Sequence, residues 1–351
     1  MLVFMVRRLF WAVLLMFVVT LIVFVMFFVL PADSRNAQRN EQGFAPGLQT
    51  QFNIRGSFGE EYARFMTHVL RGDLGDSTRQ NDAVTDVIRK TLPVTVSLIL
   101  GGTIFFLLIA IPIGVLSALY PRSLLDKGLM LFVLIGASAH SVWLGLVFSY
   151  VGGVKLHWFP VGGYCDLHYQ AESTSLCGGP RYWAYHMILP WLTFAFLFAA
   201  LYARMIRASL LEALEEDYVR TARAKGAGGF RVMRKHVFRN ALMPVITMLG
   251  MDVGVAFAGA LFIETVFTLP GTGWLLVRSL ANSDLPMILG IVIIVCIAVV
   301  IANLIVDLLY GVLDPRVRMR TRGDAIVVSR AVGRELRAQQ PARVSESATT
   351  P

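Results

Sequence analysis

The side chains richest in chemistry lie between residues 209 and 247, in the run SLLEALEEDYVRTARAKGAGGFRVMRKHVFRNALMPVIT. Four acids, Glu212, Glu215, Glu216 and Asp217, precede a basic series that includes Arg220, Arg223, Lys225, Arg234, Lys235 and Arg239. Helical spacing places Leu210, Leu214, Tyr218 and Thr221 or Ala222 on one face. Gly226, Gly228 and Gly229 break that helix, and Phe230, Met233 and Val237 share the face of a second one before Pro244. The pattern is a helix, a glycine bend and a second helix, a shape for docking and not for making bonds. A basic amphipathic pair could rest on anionic lipid. An elbow could instead seat in a groove on a protein partner. Anionic lipid would repel the four acids, whereas a protein surface can meet both signs.

A second group of candidates consists of polar residues within or near apolar runs: Asp252, Glu264, Asn303 and Asp307. An ionised Asp at the centre of a membrane helix costs about 2.5–3.5 kcal/mol, so such groups face protein or water. Asp252 reads either as the lining of a pathway or as an interhelical hydrogen bond. Glu264, just before Phe267 and Pro270, reads as a structural cap or the hinge of a gate. Cys165 and Cys177 lie twelve positions apart. They could form a disulfide in an oxidising compartment or remain two thiols. Their spacing lacks the paired cysteines and histidines of a zinc site. Asp73 and Asp76 are too few carboxylates for calcium, so no metal is expected. His140 beside Ser141 does not make a triad, and no H-E-x-x-H or GxxxxGK[ST] motif occurs. Neither an enzyme nor direct cofactor or nucleotide binding is therefore expected.

The elements that hold these residues are apolar and long. Of 351 residues, 56% are hydrophobic and 16% charged, against roughly 25% charged in a soluble protein. The excess gathers in six runs, 9–30, 95–118, 128–151, 185–203, 241–267 and 287–311, each near the length that crosses a ~30 Å hydrocarbon core. Strand-like alternation is weak, which predicts an all-α polytopic membrane protein with six transmembrane helices. The first run is too long for a signal peptide and lacks a small-residue cleavage site.

The net charge of +9 follows the membrane and not a nucleic acid. The 204–240 connection holds nine Lys/Arg against four Asp/Glu, while the 152–184 connection offers Lys155 and Arg181. The positive-inside rule then gives N-in and C-in. Three regions result. Residues 1–94 carry the first helix and a large extracytoplasmic segment. Residues 95–320 form a five-helix core with its cytoplasmic loop at 209–244. Residues 321–351 form a polar tail whose composition predicts disorder.

The elbow resembles the cytoplasmic "EAA" loop in membrane subunits of binding-protein-dependent ABC importers, and most closely the first permease subunit of the dipeptide/oligopeptide family. The match runs through Asp217-Tyr218-Val219-Arg220-Thr221-Ala222-Arg223-Ala224-Lys225-Gly226, then His236, Arg239-Asn240-Ala241-Leu242 and Pro244. Other matching pieces are Arg7-Arg8-Leu9, Gly72-Asp73-Leu74-Gly75 with Ser77, and Leu92-Pro93-Val94-Thr95. Glu264-Thr265-Val266-Phe267, Pro270-Gly271-Thr272-Gly273, Asp284-Leu285-Pro286 and Leu313-Asp314-Pro315-Arg316 complete the set. The resemblance spans about residues 1–320.

That resemblance implies a type I ABC importer permease (MetI-like) fold and a heterodimer with a second permease subunit. It implies two cytoplasmic ATPase subunits or domains, which would use ATP and Mg2+, and an extracytoplasmic binding protein that delivers peptide. Helix 212–226 would couple to the ATPases through Glu212, Asp217, Tyr218, Arg220, Ala222, Arg223, Lys225 and Gly226. Family members also carry nickel complexes, glutathione and some sugars. An ion-coupled secondary transporter is the physical rival, since it too uses buried charges and broken helices.

Overall fold

The computed structural model describes residues 2–25, 58–77, 79, 82–167, 177–233, 237–282 and 284–313. The far end of the first apolar run, the Asn/Gln-rich part of the 31–94 segment, the Asp307 side chain and the 321–351 tail lie outside them.

Helix α1 (Leu2–Phe24) leaves much of its apolar surface bare, with Phe10, Trp11 and Phe17 exposed. Bare apolar surface on this scale belongs against lipid or another subunit. Helix α2 (Phe58–Leu70) packs on α1 through Phe65, which is fully buried, and through Tyr62, whose hydroxyl bonds Thr20 Oγ1 at 2.9 Å. At the end of α2, Val69 packs inward and Leu70 is exposed.

Helix α3 (Val84–Leu119) is longer than the 95–118 run that announced it. It begins eleven residues earlier, at Val84, and runs on without interruption, so Pro93 and Pro112 both lie inside one helix. Asp82 lies just ahead of that helix and Asp86 in its first turn, where the dipole favours negative charge.

The expected single span over 128–151 is instead two helices, α4 (Leu124–Ser138) and α5 (Ser141–Phe148), the second continuing as π-helical turns through Lys155. They meet at 102°. His140 supplies the reason. Its backbone is extended, and its Nδ1 accepts the Val142 amide at 3.3 Å, capping a new helix.

Helix α6 (Pro180–Glu215) extends well past the predicted end at 203. It runs parallel to α3, with Phe106 against Phe198 and Tyr202 at ring separations of 5.6 and 4.7 Å. Small residues set the spacing. A Cβ on Gly114 would lie 2.7 Å from the Ile206 side chain and 2.9 Å from the Ala203 carbonyl oxygen. Gly101 and Gly102 make room for Trp191 and Phe194 in the same way.

Short helices α7 (Asp217–Ala224), α8 (Gly229–Val232) and α9 (Phe238–Ala241) form the elbow. The fifth apolar run is again a bent pair, α10 (Met243–Met251) and α11 (Val253–Val266), meeting at 59° around Asp252. Of its glycines, Gly250 makes the close approach, to Val306; Gly254 and Gly259 have ordinary contacts. Helix α12 (Thr272–Ala281) has no counterpart among the expected elements, and α13 (Leu285–Leu313) ends the described chain. By length and composition, α3, α6 and α13 can each cross a membrane, the two bent pairs add up to two more crossings, and α1 contributes the shorter apolar stretch Leu9–Ile22.

Replacing Gly114 with Val should separate α3 from α6. Overpacking of this kind costs about 1–3 kcal/mol, so the thermal midpoint of the detergent-solubilised protein should fall measurably, with Gly114→Ala in between.

Candidate functional site

The elbow begins where α6 stops. Glu216 adopts an extended conformation (ψ 144°), so the helix breaks between Glu215 and Asp217. The expected 212–226 helix is thereby corrected. Glu212 belongs to the end of α6, and the separate helix is α7 alone. Its inward anchor is Val219, fully buried, and not Tyr218, which is 37% exposed. In the second arm Val232 and Val237 are buried while Phe230 is 79% exposed, so Phe230 leaves the face assigned to it. Arg234, Lys235 and His236 lie outside the described residues. The α6 end supplies Leu210 and Ala213 to the same cluster that holds Val219, Val232 and Val237. One side of the elbow is therefore fused to the core.

The other side is open. Asp217, Tyr218, Arg220, Arg223, Lys225 and Gly226 are all exposed, and Ala222 is half-buried. Asp217 and Arg220 form an exposed pair at 3.6 Å, worth little by itself in water. Gly226 ends α7 with φ +80°. Its amide bonds the Arg223 carbonyl oxygen at 2.9 Å, and the Ala227 amide bonds that of Ala222 at 3.2 Å. These are the two bonds of a Schellman stop. A Cβ at Gly226 would meet nothing, so backbone conformation, and not crowding within this chain, is what asks for glycine here.

At the opposite end of the bundle, the scattered sequence motifs converge. Glu264 is fully buried at the end of α11. Its Oε2 accepts the Gly273 and Trp274 amides at 2.8 and 3.0 Å, capping α12 from another helix. A Cβ on Gly271 would overlap that carboxylate, and one on Gly273 would strike the Leu261 backbone. This explains both glycines of the Pro270–Gly273 motif. Thr95 of α3 accepts the Thr272 amide at 2.8 Å, and the two hydroxyls lie 2.9 Å apart. Ser77 donates to Asp284 Oδ2, both residues buried, which ties the turn after α2 to the start of α13. In that turn His68 Nδ1 donates to Asp73 Oδ2 at 2.9 Å, and the Gly75 amide donates to Oδ1 at 3.1 Å. These bonds hold the Asp73 carboxyl below its ordinary pKa.

Between the two ends a cavity of about 510 Å³ opens among α3, α6, α10–α11 and α13. Its walls are mostly apolar. Asp252, at the bend of the fifth run, is the acid in its lining, and Tyr202 donates a 2.8 Å hydrogen bond to Asp252 Oδ2. The structure thus gives Asp252 the interhelical bond and a place on a cavity wall. Asn303 does not line the cavity, and its buried Oδ1 has no hydrogen-bond partner among the described residues.

After α5 and its π-helical turns, the chain meets the α11–α12 turn at Gly163, whose amide bonds the Phe267 carbonyl oxygen at 2.9 Å. Cys165 and Cys177 are brought together as a disulfide pair, with Cα atoms 5.3 Å apart, a separation that such a bond accommodates. His186 of α6 lies 3.2 Å from Cys165 Sγ. The three residues have the donor set of a Cys2His metal site, but the disulfide uses both sulfurs.

Sequence reasoning quoted Thr95 and Thr272 only as motif residues without a role and missed Tyr202, because neither a motif nor an apolar run reveals which hydroxyl faces a partner. It singled out Glu264 correctly as a buried acid, without the α12 amides that give it a role.

Comparison with known proteins adds the family. The pattern for "Binding-protein-dependent transport system inner membrane component" matches residues 110–319, and that for the N-terminal region of the same membrane components matches residues 1–99. The dipeptide transport system permease protein DppB of Escherichia coli is 34% identical over 320 residues, covering 86% of this chain and 94% of that one. The oligopeptide transport system permease protein AppB of Bacillus subtilis is 38% identical over 258 residues, covering 73% and 79%. A putative peptide permease of Brucella suis is 34% identical, covering 86% and 94%. Among solved structures, an inward-facing MetNI methionine ABC transporter superposes with a TM-score of 0.52 at 15% identity, covering 65% of this chain and 96% of that one. The last likeness concerns fold alone.

Two variants test these geometries. Gly226→Ala should cost about 1–2 kcal/mol, the penalty of a left-handed residue with a Cβ, and should speed amide exchange at residues 226 and 227 roughly fivefold or more. Glu264→Ala should leave two half-buried amides unpaired, at about 1 kcal/mol each. Its thermal midpoint should fall further than that of Glu264→Gln, which keeps an acceptor oxygen.

Proposed function

We propose that this chain, which belongs to the family of binding-protein-dependent transport system inner membrane components, is the permease subunit of an ATP-driven importer of dipeptides or oligopeptides. It is an integral membrane protein, and its named relatives are peptide permeases. The observation that carries the reading is the elbow, a short helix of mixed charge held rigidly to the core on one side and left bare on the other. A helix that met only anionic lipid would gain nothing from exposing Asp217, Glu215 and Glu216.

In this reading the chain crosses the cytoplasmic membrane six times with both termini inside. The nine basic residues of 204–240 favour that orientation. The bare face of α7 enters a cleft on one of two cytoplasmic ATPases. Tyr218 supplies contact area, and Arg220, Arg223 and Lys225 meet acidic groups. ATP and Mg2+ bind those partners and not this chain. A second permease subunit completes the conduit, and a binding protein delivers peptide at the α12 end. The Asp252 cavity lies on the route, where a carboxylate in an apolar wall suits the ammonium group of a zwitterionic peptide.

An ion-coupled transporter would also accommodate Asp252 and two bent spans. It has no need of a cytosolic elbow. Co-expression with the neighbouring transport genes, followed by affinity purification, should recover the ATPases with the wild-type chain. Asp217→Arg combined with Tyr218→Ala should lower their retention at least tenfold, as losing a central contact of ~1.4 kcal/mol or more requires. Proteoliposomes holding the complex and the binding protein should take up labelled dipeptide only with ATP. Uptake driven by an ion gradient without ATP would overturn the proposal.

A further inference from the structure

An ion pair near the elbow, with its acid buried and its arginine half-buried, is used by none of the roles described so far. Asp126, at the start of α4, is 5% exposed, and its two oxygens are fully engaged. Oδ1 accepts Arg207 Nε at 2.9 Å and the Ser117 hydroxyl; Oδ2 accepts Arg207 Nη2 at 2.8 Å and the Arg122 amide at 2.9 Å. Ser123 caps α4 on the Asp126 amide at 3.1 Å. One carboxylate therefore joins the end of α3, the tight turn after it, the start of α4, and α6. The turn is so constrained that Arg122 sits at φ +64°, a conformation that a residue with a Cβ adopts only when its surroundings impose it.

The position matters as much as the bonds. Arg207 lies nine residues before the break at Glu216, about 14 Å along the helix. Between them Leu210 and Ala213 are packed into the cluster that holds the elbow. A displacement of α7 thus reaches Arg207 through one unbroken stretch of α6. Helices α3 and α6 already touch backbone to side chain at Gly114. Helix α4 meets α6 farther along through rings, Phe132 on Phe196 at 5.6 Å, a contact that can slide. The bidentate bond cannot, because a guanidinium fork fixes both distance and angle. A buried ion pair is a poor source of net stability, since apolar residues of equal volume often do as well. What it supplies is a fixed geometry.

We propose that Arg207 and Asp126 are positioning residues that carry elbow movement into the α3–α4 hairpin, so that breaking the pair separates ATP hydrolysis from transport. The inference rests on the importer reading above. The test uses the whole reconstituted complex with binding protein, in which peptide uptake and ATP hydrolysis are measured together, and compares wild type with Asp126→Asn, Arg207→Lys and the double variant. Wild-type uptake that fails to depend on ATP would overturn the importer reading itself, a result separate from any variant's behaviour. The expected outcome is a fall of roughly tenfold in peptide moved per ATP for each single variant, with hydrolysis retained within about twofold. The double variant should be no worse than the worse single one, because one interaction is lost only once. Should Asp126→Asn fail to assemble, Arg207→Lys decides, since it keeps the charge and loses only the fork. A wild-type ratio of uptake to hydrolysis in Arg207→Lys, or losses of both in equal proportion, would overturn the inference.

Discussion

A buried carboxylate cannot stand alone in an apolar bundle, and the amides that Glu264 draws to its Oε2 organise one whole end of the molecule. Its Oε2 takes the first free amides of α12, groups that a helix start leaves without partners. That fixes α12 against α11. With α12 placed, Thr272 meets Thr95 on α3, and Leu275 enters a cluster with Val84, Ile88, Leu74 and the first turns of α13. Ser77 and Asp284 close the same junction from the side of the α2 turn. Segments separated by some two hundred residues are held by a short list of hydroxyls, amides and two acids. Each is protected from water, where such bonds are worth more.

Much of the architecture was legible because hydrophobic length is a strong signal in a membrane chain. The long runs became α3, α6 and α13, and the elbow lies where its glycines and charges put it. Helix breaks were less legible. The run at 128–151 is continuous in hydropathy, yet His140 turns it by 102°, because a side chain that caps a backbone amide leaves no mark on an apolar average. The end of α6 was misplaced for the opposite reason. Charge at Arg204, Arg207 and Glu212 marks the exit from apolar surroundings, but a helix does not stop there. It stops at Glu216, where the backbone becomes extended.

The candidate site was legible in its residues and less so in its roles. Asp217 to Gly226 stood out by pattern, but which side faces the core depends on the angle at Glu216, so Tyr218 and Val219 exchanged places. Gly226 was read both as a helix break and as a coupling contact, and it is a left-handed helix stop. Glu264 was read as a cap or a hinge; it caps a helix that hydropathy had merged into a loop. Asp252 makes the interhelical bond and also lies on a cavity wall.

The length of α6 has a mechanical consequence. Thirty-six residues without a break make a rod of about 54 Å, far longer than the ~30 Å hydrocarbon core it would cross. At that length each degree of tilt moves one end about 1 Å relative to the other. One end is the elbow. The other begins at Pro180, three residues after Cys177, whose partner Cys165 sits in the loop that bonds the α11–α12 turn through Gly163. A rotation of a few degrees at Glu215 therefore arrives at that loop as a displacement the size of a side chain. The rod converts a small angle at one surface into a large distance at the other, without any change in its own internal bonding.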